Sequence, residues 1–92
     1  MGITADIAFE IMAKNCEAIS NDSAFGVTKW SQFVAAAFHE GKIDYYREHI
    51  EDMLTRKYAW SFENARKASA ELERSIIFLR ALQESGNVDF VQ

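Results

Sequence analysis

Proline is absent from the 92 residues, and cysteine occurs once, at Cys16. Without proline no helix is interrupted by a missing amide donor, so glycines and short polar clusters must end each element. A lone cysteine excludes an intrachain disulfide and fits a reducing compartment. Glycine is scarce too, at four residues. None of them belongs to a phosphate-cradling loop, a dinucleotide turn or a Gly-x-Ser-x-Gly elbow. No apolar stretch approaches membrane-spanning length. The opening Met1-Gly2-Ile3-Thr4-Ala5-Asp6 lacks the basic start and apolar run of a secretory signal, and Asp6 stands where a myristoylation signal needs Ser or Thr. The expectation is a cytoplasmic protein. Basic residues are also few, 10 against 14 acidic ones, for a net charge of −4. Bare phosphate attraction is therefore not the expected driver of binding. The longest acidic run is Glu51-Asp52, far short of a DNA mimic.

What is present is apolar bulk. Hydrophobic residues make up 49 % and charged ones 26 %, a balance that argues for a folded domain rather than disorder. A chain of this length supports one core, so residues 1–92 are read as one domain. Such a domain buries only about 60–65 % of its unfolded surface. Two Trp, three Tyr and seven Phe supply large rings where burial is limited.

Helical periodicity divides the chain into four segments. Over residues 4–19, Ile3, Ile7, Ile11 and Ala18, flanked by Ala8, Met12 and Ile19, share one broad face, opposite Asp6, Glu10, Lys14 and Glu17. Ser20-Asn21-Asp22-Ser23 reads as a turn, with Phe25-Gly26 packing a ring as the chain reverses. Thr28 is a good N-cap for a second helix, whose stripe is Trp30, Phe33, Val34, Ala37 and Phe38 and whose stop is Gly41. From residue 43 to about 58, a third segment carries Ile43, Tyr46, Ile50, Met53 and Leu54. Its apolar face is rotated by about 150° from that of the second helix at 100° per residue. A break at Gly41 lets both faces meet one core; the alternative is a continuous helix sandwiched between partners.

Ser61 caps a fourth and longest helix, with Glu63 at its positive end. Phe62, Ala65, Ser69, Leu72, Ile76, Leu79 and Gln83 alternate at three and four residues, a short seam weakened by Ala65 and Ser69. Ser85-Gly86-Asn87 ends it, and the tail 88–92 either pairs as a strand or lodges Phe90 in a groove. The fold expected is all-α: four helices, the last one long, with a short extended tail.

Candidate chemistry is sparse. His39 and His49 lie near Glu40, Asp44, Glu48, Glu51 and Asp52, but neither the i, i+4 histidine pair of zinc helices nor Glu-x-x-His is present. A solvated helix face explains these residues better than a metal site. Cys16 beside Glu17 has no basic neighbour and reads as a small buried hydrophobe rather than a nucleophile. A helix-turn-helix about Gly41 fails because Glu40 and Lys42 flank the turn, and Asp44 and Glu48 would meet phosphates. Neither catalysis nor a cofactor is expected.

Two readings concern partners. Arg56, Lys57, Arg66 and Lys67 bracket Tyr58, Trp60 and Phe62, an interleaving that can suit single-stranded nucleic acid. More often such cations pair with nearby acids, as Glu63 and Lys67 can at i, i+4, so nucleic acid is the disfavoured alternative. Asn15 falls near the middle of the first apolar face, either fixing register in a helix seam or bonding locally to backbone. The run Ile76-Ile77-Phe78-Leu79, with Leu82, covers the whole circumference of its helix, more than one small core hides. Self-association through Ile76, Ile77, Phe78 and Leu82 is expected, a homodimer first. Phe9, at the edge of its face, Tyr45, off its stripe, and Phe90, in the tail, are the expected anchors for another protein. The function class these features suit is a small, acidic, helical regulator or inhibitor, a kind frequent in bacteria and phages.

Overall fold

The computed structural model describes residues 3–15 and 24–86, and the side chains of residues 3–15 and 28–86. Among them lie four α-helices: α1 (Ala5–Ala13), α2 (Ala24–Glu40), α3 (Ile43–Lys57) and α4 (Phe62–Glu84). The all-α class and the long last helix are as the periodicity predicts. At 23 residues, α4 runs for ~34 Å. Chiefly, α1 packs on α2 and α3 on α4. Cys16, the turn at 20–23, the ring of Phe25 and the tail with Phe90 lie outside the described residues.

The break at Gly41 is real, and its geometry explains it. Gly41 has φ +74°, in the left-handed region that a Cβ disfavours. Gly41 N–H donates to the Phe38 carbonyl at 3.3 Å, and Lys42 N–H donates to that of Ala37 at 2.8 Å. These two bonds form the Schellman pattern, which satisfies carbonyls that α2 would otherwise leave open. The chain turns there, and the faces of α2 and α3 meet on one core.

Ser61 caps α4 as expected, its hydroxyl accepting from Asn64 N–H at 3.1 Å. Thr4 does the same for α1, accepting from Ile7 N–H at 3.3 Å. A carboxylate oxygen of Glu40 also accepts from Ala5 N–H at 2.9 Å, so an anion from the α2 end sits at the positive end of α1. Thr28, by contrast, is not a cap. It lies inside α2, which starts at Ala24. Nothing between 24 and 28 stops a helix: Gly26 costs about 1 kcal/mol relative to alanine, but it keeps its amide donor.

The first helix is also shorter than its periodicity predicts, ending at Ala13 with Lys14 as C-cap. Asn15 supplies the reason. Its Nδ2 donates to the Ile11 carbonyl at 2.6 Å, while its backbone N–H goes to Met12 at 3.1 Å. The side chain takes the carbonyl that a further helical turn would use. Asn15 therefore acts within its own chain, the local one of its two expected roles.

Rings fill the centre. The Phe9, Phe33 and Tyr46 rings are mutual neighbours, with centroids 5.2, 5.0 and 4.9 Å apart, each pair adding about 0.5–1.5 kcal/mol beyond area burial. Around them lie Met12, Ile50, Leu54, Leu72 and Ile76. On α1 the buried positions are Ala5, Ala8, Phe9, Met12 and Ala13, whereas Ile3 and Ile7 are exposed and Ile11 is half-buried. The predicted isoleucine face of α1 is thus its outer face. Phe9 and Met12 reach the aromatic centre, and three alanines let the α1 backbone approach α2 closely. Three isoleucines on that side would stand the helices apart.

Trp60 closes the remaining end. The loop residue Ala59 has φ +60°, which turns the chain so that Trp60 N–H donates to the Leu54 carbonyl at 2.9 Å. The buried indole N–H then donates to the Ala13 carbonyl at 2.8 Å. That carbonyl is one of the last four of α1 and has no partner within its helix.

Candidate functional site

The C-terminal half of α4 carries the most exposed large apolar side chains outside its first turn. Leu72 and Ile76 face the core, Leu79 and Leu82 are half-buried, and Ile77 and Phe78 are 68 % and 63 % exposed. Four consecutive apolar residues on a helix point in four directions at 100° each. With one neighbour on each flank, two of them must face outward. Of the expected self-association residues, Ile77 and Phe78 are accessible and Leu82 is partly so. Ile76 is a correction: it is 2 % exposed and is spent on the monomer core, since it continues the Ala65–Leu72 seam at a spacing of four.

Beside Phe78 lies an open groove of about 250 Å³ between α2 and α4. Trp30, Val34 and Ala35 form one wall, and Ser75, Phe78 and Leu79 the other. The Trp30 indole N–H donates to Ser75 Oγ at 3.2 Å, which holds the walls at a fixed separation. The lining is mostly apolar, so the groove offers a contact surface and few groups that could move a proton.

The expected protein-binding anchors divide three ways. Phe9 is a correction: at 2 % exposure it belongs to the aromatic centre, because the buried face of α1 centres on it. Tyr45 is 52 % exposed and stacks loosely against His49, with ring centroids 4.7 Å apart. Phe90 lies outside the described residues.

In the basic-aromatic segment Phe62 is 70 % exposed and Tyr58 is half-buried. Trp60 is buried and committed to Ala13. Arg56 pairs with Asp52 at 2.9 Å and Lys67 with Glu63 at 3.7 Å. Lys57 lies over the Tyr58 ring at 5.7 Å from its centroid, and Arg66 is exposed. Two of the four cations are thus each offset by an acid one helical turn away. His39 lies in the last turn of α2, and His49 has Glu48 at 3.9 Å. Among the described residues no three His, Cys, Asp or Glu side chains converge as a metal set would.

No protein-family model, curated protein or solved structure matches the chain. Its chemistry is read from the geometry alone.

One polar cluster remains, where α1 meets the α2–α3 turn. The Tyr46 hydroxyl donates to Asp6 Oδ1, and Lys42 Nζ lies 3.1 Å from Asp6 Oδ2. The bond from Tyr46, then that from Lys42, holds the Asp6 carboxyl below its ordinary value. Burial, then the Asp6 carboxylate, pushes the Tyr46 phenol well above its own. Each group is satisfied by the others, so the cluster clamps α1 to α3 and offers no unpaired group for catalysis. Among the described residues no helix is long and apolar enough to cross a membrane.

The isoleucine stripe is the surface the periodicity misplaces. Ile3, Ile7 and Ile11 stand at i, i+4 and i+8 on the outer side of α1, apolar yet away from the core. Ala5 and Ala13, beside Phe9 and beyond the flanking Ala8 and Met12, carry the available signal. Alanines beside a Phe and a Met mark a close-packed helix side as well as isoleucines do.

Proposed function

We propose that the chain works without catalysis, as a small helical interaction or regulatory protein of adaptor or inhibitor type. It associates with itself through α4 and presents helical surface to another protein, in a reducing cytoplasmic setting that suits its lone Cys16. One observation carries this reading: Ile77 and Phe78 stand exposed side by side on α4, with Phe78 on the rim of an apolar groove. Fully burying an Ile or Phe side chain is worth about 1.5–3 kcal/mol, and a symmetric dimer counts each residue twice.

The nucleic-acid alternative through Arg56, Lys57, Arg66 and Lys67 has less support, because Trp60 is unavailable for stacking and two of the four cations pair with acids. Light scattering and sedimentation over a wide concentration range test the preferred reading. Wild type is expected to move from monomer to dimer. Phe78→Glu and Ile77→Glu should stay monomeric with unchanged circular dichroism, and Phe78→Glu should recover less of any protein co-purified from the native host. A strictly monomeric wild type at high concentration overturns self-association.

A further inference from the structure

We infer that two copies pair antiparallel along the outer face of α4, with Ile77 of each over Ala81 of the other and Arg74 of each beside the other's Glu84. This deepens the self-association reading and rests on it. The outer face of α4 has a heptad-like spacing of its own. Glu63, Lys67, Ala70 and Arg74, then Ile77, Ala81 and Glu84, alternate at four and three residues, and all seven are exposed. Such a row meets a facing helix along a seam. Its first half is charged apart from Ala70, and Ile77 and Ala81 lie in the second half, flanked by Phe78. A crossing therefore centres on the C-terminal half, and the N-terminal halves diverge into solvent.

Charge then selects direction and register. In a parallel pair, Arg74 would face Arg74 and Glu84 would face Glu84, so like charges meet at each end. In an antiparallel pair centred between Ile77 and Ala81, Arg74 meets Glu84 twice by symmetry, which replaces both like-charge pairs of the seam, and Arg80 is left at the solvent-facing rim. Phe78 flanks the seam on the side where it meets its own counterpart close to the two-fold axis, and the two rings can pack together there. Ala81 is small enough for a close helix approach, and Ile77 enters the space beside it. Arg74 uses Nε and Nη2 on Glu71, at 3.3 and 2.7 Å, so Nη1 is left to donate across the interface. Glu84 has no ion pair among the described residues. The overlap is short, about 11 residues or ~16 Å per helix, which places the interface in the small class below about 1,200 Å². The dimer is therefore reversible and concentration-dependent.

Charge exchange tests the register. Sedimentation equilibrium is measured on full-length wild type, Arg74→Glu, Glu84→Arg, the double exchange and Phe78→Glu, with circular dichroism confirming the fold of each. Each single exchange is expected to weaken dimerisation about tenfold by setting like charges opposite one another. The double exchange should restore it to within about threefold of wild type, since the pair is re-formed with its sign reversed. If Phe78→Glu gives a monomer while both single exchanges dimerise like wild type, the copies associate by another register and the inference is overturned. Weakened single variants with no recovery in the double variant overturn it equally. A wild type that never dimerises instead removes the self-association reading beneath it.

Discussion

Replacing Trp60 with phenylalanine isolates one long-range hydrogen bond that locks the end of α1. The indole N–H donates to the Ala13 carbonyl at 2.8 Å across 47 residues of sequence, and both residues are buried, at 6 % and 2 % exposure. Phenylalanine keeps an aromatic ring but brings no donor, so the carbonyl is left buried and unpaired at about 1–3 kcal/mol. The smaller ring leaves a void whose lost contacts add about 1 kcal/mol. The total, roughly 2–4 kcal/mol, corresponds to a fall in Tm of about 10–20 °C for a domain of this size. Trp30→Phe is the matched control. Its indole reaches a serine hydroxyl at 3.2 Å in a half-buried position, where Ser75 can turn to water, so about 1 kcal/mol or less is expected. Urea titration followed by far-ultraviolet circular dichroism, at one protein concentration, measures both variants. Hydrogen exchange at the α1 amides should rise in the Trp60 variant first. Equal losses in the two variants, or a loss below about 1 kcal/mol for Trp60→Phe, would refute the view that this bond secures α1.

The two sides of α1 separate cleanly: Phe9→Ala should cost about 3–5 kcal/mol, and Ile7→Gln should stay within about 0.5 kcal/mol of wild type, both read from chemical denaturation. Asp6 has a lowered pKa, so its clamp contributes stability above the unfolded carboxyl's ordinary value of 3.8 and loses it as pH falls through the lower folded value. Thermal unfolding of wild type should therefore weaken more than that of Asp6→Asn as pH drops below about 4. Tyr46 and Lys42 have raised values, so their contributions are present below about pH 10 and fade above it; Tyr46→Phe should flatten that alkaline limb. Gly41→Ala should destabilise by about 1 kcal/mol through φ alone, because no atom lies within 4 Å of the added Cβ. Ala59→Gly, relieving a positive φ in a residue that has a Cβ, should be neutral or stabilising by up to about 1 kcal/mol in the same assay.

Much of the fold is legible in local pattern. Gly41 and Gly86 stop helices, Ser61 starts one, and the stripes Phe33–Val34–Ala37 and Tyr46–Ile50–Leu54 point inward, because caps, stops and periodicity act within a few residues. The circumference argument at 76–79 likewise finds exposed Ile77 and Phe78 without knowing the partners of α4. It cannot say which two of the four residues face out, and so it includes Ile76.

Tertiary structure decides what depends on distance between segments. Whether α1 buries Ile3 and Ile7 or Phe9 beside Met12 turns on the fit of rings from α2 and α3, and hydrophobicity along one helix is nearly the same either way. Phe9 reads as an edge residue and becomes central for that reason. Asn15 can serve a seam or its own backbone, and the choice follows from which carbonyls Trp60 and the helix end leave open. Arg56 and Lys67 look like a basic cluster in linear order, yet Asp52 and Glu63, each one helical turn away, neutralise them. Spacing and polarity are properties of the chain and survive in any fold. Burial and pairing are properties of the packed whole, and they exist only once the helices have met.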